Sequence, residues 1–180
     1  ERMSRKKLPP NFSRTKGMLV FTPTSDHVKE AFERSEKLGV LPNSFTRGAG
    51  RMTGFLGEVA FECLYPEAVY EGDVEYTHDY VLGNRTIDVK SKCCAGKPQP
   101  HYTASVNCPE GKKLPANAYF FVRVRKDFQK AWLLGWATAN KIQKNGEYKL
   151  RGEPDDYGFT YKVDGYHLPI AALRRAGSLK

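Results

Sequence analysis

The sequence predicts an α/β (α+β) protein, with strands and helices interspersed along a single domain. Three observations predict it. Ala118 to Val124 and Ala131 to Ala137 are apolar, aromatic-rich runs separated by the polar turn Arg125 to Lys130, which reads as an antiparallel strand pair. His27 to Leu38 and Met52 to Tyr65 place their apolar residues at helical spacing. Tyr80-Val81-Leu82 and Thr86-Ile87 flank Gly83-Asn84, a two-residue loop that suits a tight hairpin with a Gly-first turn.

Residues 1–16 carry six basic side chains from Arg2 to Lys16 together with Pro9-Pro10. They read as a loosely ordered basic arm, able to touch phosphates or to remain a solvated tail. Met18 to Phe21 is a short strand. Thr24, Ser25 and Asp26 offer caps for the first helix, Gly39 offers its stop, and His27 is a first-turn residue rather than a ligand. Between the helices, Arg47 and Arg51 stand beside glycines; they suit close approach to a phosphate backbone, or an ordinary loop. In the second helix Phe55, Val59 and Cys63 line one edge with Leu56, Ala60 and Leu64 beside them, and Pro66 ends it. Glu58 lies off that stripe, as a surface glutamate would. Gly54 and Gly57 cost helix stability, so something is expected to pack closely there.

Val69 to Thr77 is expected to be a strand leading into the hairpin, with His78 an edge-strand histidine. Residues 91–117, broken by prolines and glycines, read as loop. Cys93, Cys94, His101 and Cys108 in this loop fit a structural metal poorly, because adjacent cysteines lack the usual ligand spacing. Thr138 to Lys144 is a short helix and Asn145-Gly146 a turn; the tyrosine-rich tail is irregular, with His167 to Ile170 packing back.

The hairpin carries the chemistry. Its turn sets the register: Leu82 opposite Arg85, Val81 opposite Thr86, Tyr80 opposite Ile87 and Asp79 opposite Asp88. Opposed side chains lie about 5 Å apart, and Lys90 joins the same face two residues on. Ile87 and Val89 take the other face, toward a core. Adjacent carboxylates repel unless one keeps a proton or a cation lies between them, and hard divalent ions favour carboxylate oxygens. A lysine beside such an ion can orient a nucleophilic water or stabilise charge on a phosphate. The hairpin therefore reads as a divalent-metal site for phosphodiester hydrolysis, against the plainer reading of scattered charges on a solvated hairpin.

Composition bounds the rest. Hydrophobic residues at 40% and charged residues at 27% are ordinary for a globular domain. The net charge of +9 predicts attraction to polyanions, nucleic acid first. No apolar run approaches the roughly 20 residues that span a bilayer, so no membrane partner is expected. Glu1 to Pro10 lacks the apolar core of a signal peptide. Four cysteines in a domain with core enough of its own suggest reduced thiols and a cytoplasmic setting.

Helix with Glu58, hairpin with Asp79 and Asp88-Val89-Lys90, then two long strands: this order resembles the PD-(D/E)xK nuclease superfamily, the restriction-endonuclease-like fold. Gly54-Phe55-Leu56-Gly57-Glu58-Val59-Ala60 is similar to its helix motif and Thr86-Ile87-Asp88-Val89-Lys90 to its signature strand, with Asp79 in the place of the first aspartate. Phe120-Phe121-Val122 followed by Leu133-Leu134-Gly135-Trp136 resembles the hairpin that stand-alone, often phage-borne members carry after the active site. The likeness covers roughly residues 50–140. His78 stands where the family name has proline, which leaves Asp73 a rival to Asp79. No downstream helical glutamine supports exonuclease character, and the cysteines do not match the iron–sulfur pattern of some relatives.

The resemblance implies a central mixed sheet of four to five strands flanked by helices, in one nuclease domain over residues 17–180. It implies an Mg2+-dependent endodeoxyribonuclease, structure-specific or restriction-type, in which Mn2+ substitutes. Glu58, Asp79, Asp88 and the Val89 carbonyl would hold one or two ions, and Lys90 would orient the attacking water. Arg47, Arg51, Lys92, Lys97, Lys112 and Lys113 are the candidate nucleic-acid contacts. DNA is the expected partner, with a homodimer if both strands are cut at once; an intracellular, virus-encoded protein fits this class. The competing readings are a binding module on the same fold without catalysis, and a basic packaging protein.

Overall fold

A long strand at the centre, β5 (Arg85–Cys94), organises the architecture. A computed structural model describes residues 7–38, 49–74 and 76–180. β5 pairs in parallel with β7 (Ala118–Arg125) and antiparallel with β4 (Tyr80–Leu82). β7 continues antiparallel to β8 (Ala131–Thr138), then β2 (Met18–Phe21) and β1 (Phe12–Thr15), and β3 (Val69–Tyr70) closes the other edge beside β4. The result is a large mixed sheet in an α/β fold, flanked among the described residues by three helices.

Helix α1 (Ser25–Lys37) starts where the sequence places caps. Thr24 Oγ1 accepts the His27 N–H at 3.3 Å, and His27 Nδ1 accepts the Thr24 N–H at 3.0 Å, so two otherwise orphaned donors are satisfied reciprocally. Helix α2 (Ala49–Leu64) buries Leu56, Val59, Ala60 and Phe61 against Ile87, Val89, Phe120, Val122 and Val124 on one face of the sheet. Gly57 is where α2 comes closest: a Cβ there would run into Ser91 Oγ and lie 2.9 Å from Ser91 Cβ, whereas Gly54 has open space around it. Close approach is therefore the reason for only one of the two glycines. We expect Gly57→Ala to cost about 1–3 kcal/mol by overpacking, read as a lowered Tm, while Gly54→Ala is neutral or stabilising.

The opposite face has its own core. The crossover from β5 to β7 runs through β6 (Thr103–Asn107), which leaves the large sheet. It pairs with β10 (Gly165–Pro169), and β9 (Glu147–Lys149) completes a separate three-stranded sheet. Ala104, Val106 and Leu168 from this sheet pack with Ile142 of α3 (Ala139–Asn145) onto Tyr119, Phe121 and Ala137. Covered on both sides, β7 is apolar from Ala118 to Val122 and again at Val124, as strands buried on two faces are, with Arg123 the charged exception between them.

Several expectations are corrected. The large sheet has seven strands rather than four or five, because β1–β2 extend it at one edge and β3 at the other. Residues 12–15, read as part of a loose arm, form a strand; Phe12 stacks on Phe21 with ring centroids 5.0 Å apart. The stretch read as loop from 91 to 117 contains the end of β5, drawn into the ladder by Val122 to Arg125, and all of β6. The strand expected over Val69 to Thr77 is confined to Val69–Tyr70. The tail contributes β10 and is not irregular there. All four cysteines are unpaired. Among the described residues no helix is long and apolar enough to cross a membrane.

Candidate functional site

The hairpin forms with three of the four expected pairs, Tyr80 opposite Ile87, Val81 opposite Thr86 and Leu82 opposite Arg85, around Gly83 at φ +61°; the fourth, Asp79 opposite Asp88, falls outside the ladder. Ile87 and Val89 point into the core under α2, so Asp88 and Lys90 point to the other face. β4 begins at Tyr80 while β5 runs on past it. At that fork the Asp79 N–H still bonds Ile87 O at 2.9 Å, but the next partner is a side chain: Asp79 Oδ2 accepts the Val89 N–H at 2.8 Å. The Asp79 carboxyl thus lies near the sheet plane, within reach of the Asp88 carboxyl on one side and of α2 on the other. The N–H and C=O of one strand residue point to the same side, so the Val89 carbonyl also faces the fork.

Glu58 approaches the fork from α2. It is no surface residue: its side chain is 13% exposed, because its strip of the helix is shared with buried Phe61 and Tyr65. Its Oε2 is buried without a hydrogen-bond partner, and the nearest cation, Arg34 Nη1, stands 3.9 Å away. Arg34 is held elsewhere. It grips Glu62, one turn along α2, with two bonds of 2.9 and 2.8 Å, and the Tyr80 hydroxyl donates to Glu62 Oε1 at 2.6 Å. The sequence reading missed this clamp of Arg34, Glu62 and Tyr80. The i, i+4 spacing of Glu58 and Glu62 was its available signal.

The electrostatics are those of acids crowded without enough positive charge. Burial, then the Asp79 charge, pushes the Glu58 carboxyl up to about 8. Burial, then the Asp88 carboxylate, raises Asp79 well above the carboxylate range, although the Val89 N–H works the other way. Lys90 Nζ sits 2.8 Å from Asp88 Oδ2 and is the neutralising group inside the cluster. Among the described residues no three His, Cys, Asp or Glu side chains are already drawn into a metal-holding group. The oxygens are apportioned differently: Asp79 holds Val89, Asp88 holds Lys90, and Glu58 Oε2 accepts no hydrogen bond and has only the distant Arg34 charge beside it. An orphaned carboxylate oxygen beside two mutually repelling acids is a donor set that fits a hard divalent cation.

Other site candidates fall in varied places. Arg47 lies outside the described residues. Arg51 Nη1 donates to Ser35 O at 3.0 Å and ties α2 to α1, a structural task the sequence did not foretell. Lys92 stands on β5 two residues beyond Lys90, opposite Arg123 of β7. Lys97 follows β5, and Lys112 and Lys113 lie between β6 and β7; none of these three lines the cleft that contains Lys90 and Lys92. His78 is paired with Glu71 at 2.7 Å, and Asp73 accepts a 3.4 Å bond from Tyr70 Oη, so among the described residues it is Asp79, not Asp73, that bonds to β5. No protein-family model and no curated protein sequence matches the chain.

Proposed function

We propose that the chain is a divalent-metal-dependent endonuclease that hydrolyses DNA phosphodiester bonds, built on a restriction-endonuclease-like core to which β1–β2 and the three-stranded sheet are additions. The observation that carries this reading is the meeting of Glu58, Asp79 and Asp88 where β4 begins, two of them with raised pKa, with the Lys90 ammonium bonded to Asp88. A purely structural role would not favour acids buried together beside a strand fork.

Asp79, Asp88 and the Val89 carbonyl would hold Mg2+, with Glu58 the further carboxylate. The bound ion supplies a water of lowered pKa and positive charge against the phosphate in its transition state. Lys90, on the face open to a substrate, orients that water and offsets charge growing on the phosphate oxygens. Arg34 and Tyr80 hold Glu62 and so fix the pitch of α2, which keeps Glu58 at its depth. The charge of +9 provides affinity for the DNA backbone without sequence preference.

The test is nicking of supercoiled plasmid. Nicked and linear products are expected with Mg2+ or Mn2+ and none in EDTA. Cutting that EDTA leaves untouched, or binding without cutting under either ion, would overturn the reading; the latter outcome belongs to a binding module.

A further inference from the structure

Beyond Lys90 the same face of β5 opens into a cleft of about 640 Å³ between the large sheet and the segment that leads to β10. Its floor is basic. Lys90 lies opposite Phe121 and Lys92 opposite Arg123 in the β5–β7 ladder, and these side chains line it with His167 of β10. Arg123 is 9% exposed and bonds only the Thr103 carbonyl, at 2.8 Å. Among the described residues no aspartate or glutamate is among the groups that act on Lys92 or Arg123; burial pushes both pKa values down, and the Arg123 charge adds to this on Lys92. His167 Nδ1 meets Ser105 Oγ at 2.8 Å, while its Nε2 is buried without a partner. Asp155 also lines the cleft, but its Oδ1 accepts the N–H groups of Tyr157 and Phe159 at 2.9 and 2.7 Å and so serves the loop.

That loop is well made and oddly dressed. A bridge between Pro154 and Thr160 and the Asp155 bonds fix its tip, which nevertheless leaves Tyr157 80% and Phe159 74% exposed. Large aromatics on a rigid turn beside an uncompensated basic floor match two chemistries in one ligand: a phosphate and a planar base. The volume suits one or two nucleotides rather than a stretch of double helix. Lys90, 2.8 Å from Asp88, joins the cleft to the carboxylate cluster.

We propose that this cleft binds an unpaired DNA strand, with phosphates against Lys92 and Arg123 and bases stacked on Tyr157 and Phe159, so that the substrate is DNA with a single-stranded segment beside the cut. The position of the cut rests on the nuclease reading; the binding does not.

The experiment is fluorescence anisotropy of the full chain in EDTA, with labelled oligothymidylate and a blunt duplex of equal length. The wild type should bind the single strand at least about tenfold more tightly. Tyr157→Ala with Phe159→Ala should weaken the single strand about tenfold and leave the duplex unchanged. Lys92→Gln should reduce the single-strand salt slope by about 0.7. Equal affinity for the two DNAs, or aromatic variants that bind the single strand as the wild type does, would overturn the proposal. Because EDTA prevents cutting, this result is independent of nuclease activity: preferential binding that holds while a forked substrate stays uncut under Mg2+ rejects the nuclease reading and keeps the cleft.

Discussion

Asp88→Ala is expected to reduce Mg2+-dependent DNA cleavage by about 10³-fold or more and to leave DNA affinity in EDTA within about twofold of wild type, since phosphate contacts come from the basic surface. The carboxylate is the shared neighbour of the cluster: it lies against Asp79 and carries Lys90 at 2.8 Å. Its loss removes a proposed ion ligand and lets Lys90 swing away from the phosphate. The fold should not suffer. Asp88 points away from the α2 core, and its removal relieves repulsion on Asp79, so the Tm in EDTA should hold or rise. Gel assays of plasmid cleavage beside thermal melts separate lost chemistry from lost structure. A variant that cuts near the wild-type rate, or one that loses activity only because it unfolds, would count against the role given to Asp88.

The second large effect couples pH, metal and stability. Glu58 keeps its proton in the folded chain up to about pH 8 and loses it near the ordinary carboxylate value when unfolded. Between those values the folded state holds more protons, so its contribution to stability falls as pH rises through that window. Glu58→Gln removes the titration. In EDTA at pH above 8 the variant should melt roughly 5 °C higher than wild type, and the difference should vanish at pH near 5. Ca2+, which can occupy oxygen sites without driving hydrolysis, should raise the wild-type Tm more at high pH than at low, because ligand protons compete with the ion. The variant should lose much of that gain along with its cleavage activity. Arg34 favours the Glu58 charge while Asp79, Glu62 and Asp88 oppose it, so the difference between the two proteins contains all of these interactions. A Glu58→Gln chain less stable than wild type at high pH would mean that the carboxylate supports the apo fold instead of straining it.

Much of this site was legible in the sequence because local rules fix it. Gly83-Asn84 determines the turn, the turn determines the register, and the register sets Asp88 and Lys90 against the face opposite Ile87 and Val89. The cap at Thr24 and the paired strands around Arg125 to Lys130 are equally local. What was not legible depends on distant partners. Glu58 reads as a surface residue until α1 and β4 close over it. Ser91 to Cys94 look like loop because their strand character comes from the parallel ladder with Val122 to Arg125, far along the chain. The alternation of exposed and buried residues over Thr103 to Asn107 is real but only five residues long, too short to stand out among prolines. Phe12 to Thr15 is a strand because Phe12 finds Phe21, which no count of basic residues in that arm could reveal.

On the proposed reading, the acids at the β4–β5 fork are gathered to hold a divalent cation. Crystals soaked in Mn2+ and measured at its absorption edge test it most directly. An anomalous peak is expected among the carboxylate oxygens of Asp79 and Asp88 and the Val89 carbonyl, absent from Asp88→Ala crystals. Saturating Mn2+ with no peak at the fork, and with Asp79 still on the Val89 N–H and Asp88 still on Lys90, would contradict it.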